Sequence, residues 1–353
     1  MVQPNTYLSV LCVLIVSAFC WGSWANFQKL TGGRWRFELF AFDFAFGAAL
    51  CAVLAALTLG SMDSKELTFQ DNFLITGYRN MAYAAAAGMV FNLGNMFLMG
   101  AIAVSGLALA FPVGLGMVVV SGVLVNYAIN PQADPYVLFS GAALVLGAMV
   151  LAGAAYTSNI DARRIAADRV AVTNPDAPRR RRLPRAARGI ALSALAGLIL
   201  SFFFPLLTNG AWAEPAISPY GTALLFAGGV LISTLLYNPF FMNFPVQGRP
   251  LEIKAYFKGG KREHLLGLLA GAIWMAGGLS GFVAVNSSAA GQLGTPLSSA
   301  LGQGGLFVGT LWGLLGWREF RGSGARAKLL LAGMFLCFGA GLTAIAIAPA
   351  YAK

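Results

Sequence analysis

The sequence predicts an all-α integral membrane protein with ten transmembrane helices, arranged as two successive sets of five. Three observations carry this. The chain is 58% hydrophobic and 10% charged, with a mean hydropathy of +0.71, whereas soluble domains carry about 25% charged residues. Its charges fall between apolar runs of about 20 residues or longer, the length that crosses a bilayer core. The basic residues also alternate from loop to loop, as they do when successive loops lie on opposite sides of a membrane.

The ten runs follow in order. The first, 5–28, lacks the basic start of a cleavable signal peptide, and tryptophans stand where small residues should precede a cut, so it is expected to remain as a span. It closes on WGSWANFQ, Trp21 to Gln28, polar residues inside a hydrophobic stretch. The second, 37–60, opens on FELFAFDFAFG, which sets Glu38 and Asp43 among five phenylalanines. The third, 78–100, holds GMVFNLGN, and the fourth, 104–128, holds AFPVGLG. The fifth, 135–156, leads into a central stretch, 157–188, whose prolines and arginines (PRRRRLPRAAR) predict sparse structure. The sixth, 189–210, contains FFPLLTNG and precedes the seventh, 218–241. The eighth, 264–287, carries GAIWMAGG, and the ninth, 290–316, carries GTPLSSALGQG. The tenth, 327–349, closes the chain.

The loops after spans 1, 5, 7 and 9 hold 3, 9, 5 and 4 Lys or Arg, 21 of the 24 in the chain. The other side keeps Lys65, Arg79 and Lys353. The positive-inside rule then places the basic loops in the cytoplasm and both termini outside an inner (plasma) membrane. A net charge of +11 spread in this way points to anionic lipid headgroups around the central loop. It does not point to nucleic acid, because no aromatic or folded reader accompanies the arginines.

Catalysis and cofactors are not expected. Cys12, Cys20, Cys51 and Cys337 all fall inside spans without metal spacing and read as small packing residues. The single histidine, His264, starts the eighth span beside Lys261, Arg262 and Glu263, where an interfacial position accounts for it. GGK at Gly259 to Lys261 lacks P-loop spacing. No metal set or catalytic triad can be assembled, so an enzyme is not expected.

The chain is doubled in sequence. GMVFNLGN parallels GAIWMAGG, matching Gly88 with Gly271 and Gly94 with Gly277. AFPVGLG parallels GTPLSSALGQG, and the polar close of span 1 parallels that of span 6. An odd number of spans per half inserts the second copy upside down, the inverted-repeat architecture of alternating-access transporters. The expected organisation is a first repeat over 1–156, a basic cytoplasmic linker over 157–188 and a second repeat over 189–353. Spans 1, 3, 4, 6, 8 and 9 are expected nearest a central cavity.

Five plus five spans resemble the drug/metabolite transporter superfamily. WGSWANFQK, FELFAFDFAFG and ALGQGGLFVGTLWGLLGWREF (Ala300 to Phe320) resemble its ureide permease and sugar-uptake (glucose–rhamnose porter) branch. The resemblance covers essentially the whole chain. It implies secondary uptake, often proton-coupled, of a small polar or heterocyclic nutrient such as a ureide, nucleobase or sugar. The short arginine-rich central loop departs from the nucleotide-motif-like loop of the plant ureide permeases.

Candidate site residues follow from polarity inside spans. Glu38 and Asp43 point about 140° apart on a helix, with Asp43 about 7–8 Å deeper. Glu38 lies close to Arg34 and Arg36, where an interfacial ion pair accounts for it. Asp43 heads a stripe of small residues, Gly47, Cys51 and Ala55, suited to close helix packing, so it faces protein. It reads either as a proton-coupling acid, with Glu38 as relay or gate, or as half of a structural pair. Asn26, Gln28, Asn92, Asn95, Gln292 and Gln303 offer donors and acceptors together, and Trp21, Trp24 and Trp274 offer flat walls for a ring. Each also has a plainer reading as an interhelical hydrogen bond or an interfacial aromatic. Glu319 in GWREF sits among Arg318 and Arg321 and reads as a salt bridge. Three functions remain open: proton-coupled import of a small molecule, export of drugs or metabolites, and a non-transporting scaffold or receptor. The sequence leaves open whether the chain acts alone or as a homodimer.

The topology is testable. Fused to Ser158, alkaline phosphatase should be inactive and a fluorescent protein bright; at Lys353 the pattern should reverse. An active phosphatase at Ser158 would invert the map.

Overall fold

Among the residues described by the computed structural model, 2–62, 68–129, 131–173, 186–212, 216–287 and 303–351, every regular element is helical. The first span is α1 (Tyr7–Ser23) followed by α2 (Ala25–Leu30), broken at Trp24. Thr6 caps α1 by accepting from the Ser9 amide, and the Ser9 side chain answers the Thr6 amide, which satisfies two of the first-turn donors. Next come α3 (Phe37–Leu57), a short α4 (Phe69–Ile75), α5 (Tyr78–Ser105), α6 (Leu107–Ile129) and α7 (Pro135–Thr173). The second half begins with α8 (Ala186–Leu200) and α9 (Phe203–Trp212), again one span interrupted part-way. It continues with α10 (Pro219–Asn243), a 3₁₀ turn at Ile253–Lys258, α11 (Lys261–Val285), α12 (Gly304–Leu311) with a π-turn at Trp312–Gly316, and α13 (Ala325–Ile347).

Nine helices among the described residues are long and apolar enough to cross a membrane, and Gly304–Gly316 is a shorter tenth apolar helix. The outer part of the expected ninth span lies outside the described residues. Ser287 donates to the Pro4 carbonyl at one end of the bundle, and Glu319 pairs with Lys29 at the other, so the chain changes ends between them. The loops sort accordingly. Val2, Leu59, Asn72, Ala216, Tyr220, Asp134 and Ala348 bond to one another at the first end. Lys29, Arg36, Arg163, Arg249, Tyr256, His264 and Glu319 gather at the second.

One expectation is corrected. The start of the central stretch is not sparse, because α7 runs unbroken to Thr173. From Ala154 to Thr173 there is neither glycine nor proline, and the first proline after it is Pro175. Composition averaged over 157–188 hid this helix-compatible first half.

Most of the large helix pairings recur when the first five spans are exchanged for the last five. α3 packs on α11 and α5 on α10; α5 packs on α8 and α1 on α11; α6 packs on α8 and α1 on α12. The contacts α3 with α10, α6 with α12 and α7 with α13 join equivalent helices of the two sets, whereas the large α6–α7 contact has no counterpart of similar size between α12 and α13 among the described residues. Glycines make the tightest crossings possible. A Cβ on Gly47 would lie 2.0 Å from the Leu268 carbonyl oxygen, and one on Gly271 would lie 1.9 Å from that of Phe44. Across α5 and α10, a Cβ on Gly88 would lie 2.0 Å from the Phe226 carbonyl oxygen, and one on Gly229 would lie 2.0 Å from that of Ala85. With little hydrophobic driving force between helices in lipid, such backbone contact supplies much of the association. Large apolar side chains such as Leu235, Leu236, Leu329 and Leu336 point outward, as a lipid-facing surface requires.

These crossings predict a stability series. Gly47→Ala or Gly229→Ala should destabilise by about 1–3 kcal/mol through overpacking. Gly228→Ala, with nothing within 4 Å, should be neutral or slightly stabilising. Thermal unfolding of purified protein in detergent checks this, and equal melting temperatures for Gly47→Ala and Gly228→Ala would contradict the crossing geometry.

Candidate functional site

A cavity of about 70 Å³ lies at the middle of the bundle. Its lining comes from spans 1, 3, 4, 6, 8 and 9 alone, the six expected to surround it. A single ordered water needs about 10–15 Å³ of such space, so the cavity has room for a compact multi-atom group. The walls are aromatic. Trp21 and Trp274 are nearly parallel, with ring centroids 6.0 Å apart and 15° between planes. Phe91 lies 4.1 Å from Trp274, and Phe203 and Phe204 sit 4.2 Å from each other on α9. The helix breaks position these rings: Trp21 and Trp24 sit at the α1–α2 interruption, and Phe203 and Phe204 follow the α8–α9 interruption.

None of the lining residues is charged, and the polar groups are few. Trp21 Nε1 and Asn95 Oδ1 are buried and have no hydrogen-bond partner among the described residues. A buried donor or acceptor left unmade costs about 1–3 kcal/mol, so such groups in a native site call for an occupant. Gln303 also lines the space, at the start of α12.

The cavity brings together Trp21, Trp24, Asn95, Trp274 and Gln303 of the candidate residues. It does not bring in the others. Asn92 donates to the Val230 carbonyl (3.1 Å), Ser233 Oγ (2.9 Å) and Thr234 Oγ1 (3.0 Å), clamping α5 to α10. Gln28 donates to the Met99 carbonyl, and Asn26 donates to the Ser23 carbonyl while accepting from Trp317 Nε1. Gln292 lies outside the described residues. Phe91, Phe203 and Phe204 escaped the sequence reading, although the echo between the ends of spans 1 and 6 was a usable signal for the last two.

Glu38 and Asp43 occupy separate settings at the basic end. Glu38 is 0% exposed and receives two bonds from Arg36, at 2.5 and 3.2 Å. The expected ion pair therefore exists, but the acid is sealed inside protein. The Arg36 side chain, by contrast, is partly exposed. Asp43, 2% exposed, accepts from Tyr256 O–H at 2.6 Å and Trp35 Nε1 at 3.0 Å, and His264 Nδ1 lies 2.8 Å from its Oδ1. His264, read from sequence as interfacial without a chemical role, is thus a direct partner of the buried acid. The first turn of α11 carries it against α3, and Gly267 one turn on allows the approach: a Cβ there would fall 2.4 Å from Asp43 Cβ. Burial first, and then the bond to Asp43, push the Tyr256 hydroxyl well above the ordinary phenol range, so it remains a donor.

Glu319 does more than balance its neighbouring arginines. It pairs with Lys29, and its carboxylate accepts from the Leu107 and Ala108 amides at 3.0 and 2.8 Å, capping α6. Gly106, at φ 87°, leaves the space this carboxylate fills. Asn159 and Arg163 of α7 bond the Glu319 carbonyl, so one residue ties spans 1, 4 and 5 to the last loop.

Comparison with known proteins agrees with this architecture. A ureide permease family model matches residues 40–181. Ureide permease 1 of Arabidopsis thaliana is 26% identical over 381 residues, covering 94% of this chain and 94% of its own. Ureide permease 2 of the same plant is 26% identical over 399 residues, covering 96% of each. A solved crystal structure of a protein only 15% identical shares the fold with a TM-score of 0.52, over 98% of this chain and 99% of the other. With apolar helices of membrane length and full-length similarity to these plant permeases, the chain is a transmembrane transporter resembling the ureide permeases.

Proposed function

We propose that the protein imports a small, uncharged polar metabolite (a ureide, nucleobase or sugar) by proton-coupled alternating access. The observation that carries this is the unpartnered donor and acceptor, Trp21 Nε1 and Asn95 Oδ1, in a cavity walled by rings and free of charged side chains. A flat ring stacks on Trp21 and Trp274 while its carbonyl accepts from the indole and its N–H or O–H donates to the amide. A net charge on the substrate would be buried without an opposing charge, which is costly. The names of the plant relatives favour a ureide.

Alternating access follows from the doubled architecture. The helix pairings that recur on exchange, the equivalent breaks in spans 1 and 6, and the glycine crossings separated by about 180 residues support an inverted repeat of 1–156 and 189–353 joined by 157–188. In such folds one bundle rocks against the other around a fixed central site. The Lys29–Glu319 pair joins the first span to the last loop at the basic end, the proposed cytoplasmic side, and separates when that side opens. Asp43 is the proposed coupling acid, since it is buried among groups that hydrogen-bond it. Glu38, answered by Arg36, holds the mouth of the bundle together, and no hydrogen bond among the described residues links it to Asp43.

Two measurements test this reading. In proteoliposomes, Asn95→Leu should raise the half-saturation concentration for a cyclic ureide or nucleobase about tenfold, the worth of one buried hydrogen bond. Trp274→Ala should do at least as much. Wild-type kinetics in both variants would place the site elsewhere. Asp43→Asn should abolish accumulation driven by a pH gradient and leave counterflow exchange largely intact. Glu38→Gln should lower thermal stability and keep accumulation per folded molecule near wild type. Full accumulation by Asp43→Asn would make that acid structural.

A further inference from the structure

We infer that His264 carries the coupling proton between Asp43 and water at the basic end of the bundle, an inference that rests on the proton-coupled reading above. It is the only histidine in the chain. Its Nδ1 lies 2.8 Å from Asp43 Oδ1, and the two side chains are 26% and 2% exposed. Its other nitrogen, Nε2, lies beside Gly259, where a Cβ would come within 2.6 Å of it. The ring thus touches the buried acid through Nδ1, and the side chain as a whole is partly open to solvent. Trp35 and Tyr256 also bond Asp43, but an indole N–H is a donor only and a phenol releases its proton far above neutral pH. Among these three neighbours, imidazole is the group that can accept a proton at one ring nitrogen while releasing one from the other.

The charged groups on the surrounding elements are accounted for. They are Arg34 and Arg36 before α3, Glu38 on α3, Lys254 and Lys258 on the 3₁₀ turn, and Lys261, Arg262 and Glu263 in the first turn of α11. Glu38 is taken by Arg36, and among the described residues no other charged group pairs with Asp43 or His264. The step balances. Protonated Asp43 gives its proton to Nδ1 while Nε2 gives its own to water. The imidazole stays neutral as the other tautomer, the carboxylate is left ionised, and one proton has left the bundle.

The test uses full-length protein in proteoliposomes and in nanodiscs. His264→Asn places an amide where Nδ1 stood, so the bond to Asp43 can persist while titration cannot. Accumulation driven by a pH gradient should fall about tenfold or more, the usual range for losing a proton-transfer group, with counterflow preserved. If Asp43→Asn loses accumulation but His264→Asn keeps it with an unchanged pH profile, the relay is overturned and the coupling acid stands. If both keep it, proton coupling at this site falls altogether. Nitrogen-15 NMR of the single imidazole gives a readout that does not depend on the His264 variant folding. The ring's nitrogen shifts should report a change of tautomer as the Asp43 carboxyl signal changes with pH, and that change should be absent in Asp43→Asn. The same change in the two proteins would overturn the relay.

Discussion

Backbone-to-backbone contact at glycine is the constraint on which the rest of the structure depends. Gly47 and Gly271 bring α3 and α11 together, and Gly88 and Gly229 do the same for α5 and α10. A methyl at any of these positions would collide with a facing carbonyl, so the helices would separate. Everything of chemical interest hangs on those crossings. Trp274 reaches the cavity from α11 one turn beyond Gly271, and Asn95 reaches it from α5 two turns beyond Gly88. Asp43 meets α11 one turn before Gly47, at Gly267.

Polarity inside this bundle is rationed and unevenly distributed. Most buried amides bond neighbouring helices, as Asn92 does across α5 and α10. In the aromatic cavity a donor and an acceptor, Trp21 Nε1 and Asn95 Oδ1, have no hydrogen-bond partner among the described residues, as is also true of the side-chain oxygens of Gln28, Asn159 and Asn238 elsewhere. In a low-dielectric interior an unpaired group is costly, so a cavity that keeps two of them is suited to a ligand that completes both. The same logic separates the two acids. Glu38 is neutralised by Arg36, whereas Asp43 is surrounded by an imidazole, a phenol and an indole, a setting in which its charge has no permanent opposite.

The two ends of the bundle differ in kind. At the basic end, closure relies on ion pairs and charge-assisted bonds, among them Lys29–Glu319, Arg36–Glu38 and the carboxylate cap on α6. At the other end it relies on neutral bonds, such as Tyr220 to the Val2 carbonyl and Asn72 to the segment around Ala216.

The class of the protein was legible from composition and from the spacing of charges, because the bilayer imposes length and polarity on every span regardless of its partners. Gly88 and Gly271, as echoes of each other, and Gly47, in the small-residue stripe below Asp43, were legible too, whereas Gly229 and the crossing partner of each glycine were not. Which amide looks into the cavity was not. Asn92 and Asn95 lie three residues apart on nearly one face of α5, yet one is consumed by α10 and the other is open. When lipid and core are both apolar, helical periodicity no longer separates inside from outside. The partners of Asp43 come from 8, 213 and 221 residues away. Such long-range meetings are created by packing, so His264 acquired its chemistry only when α11 was laid across α3.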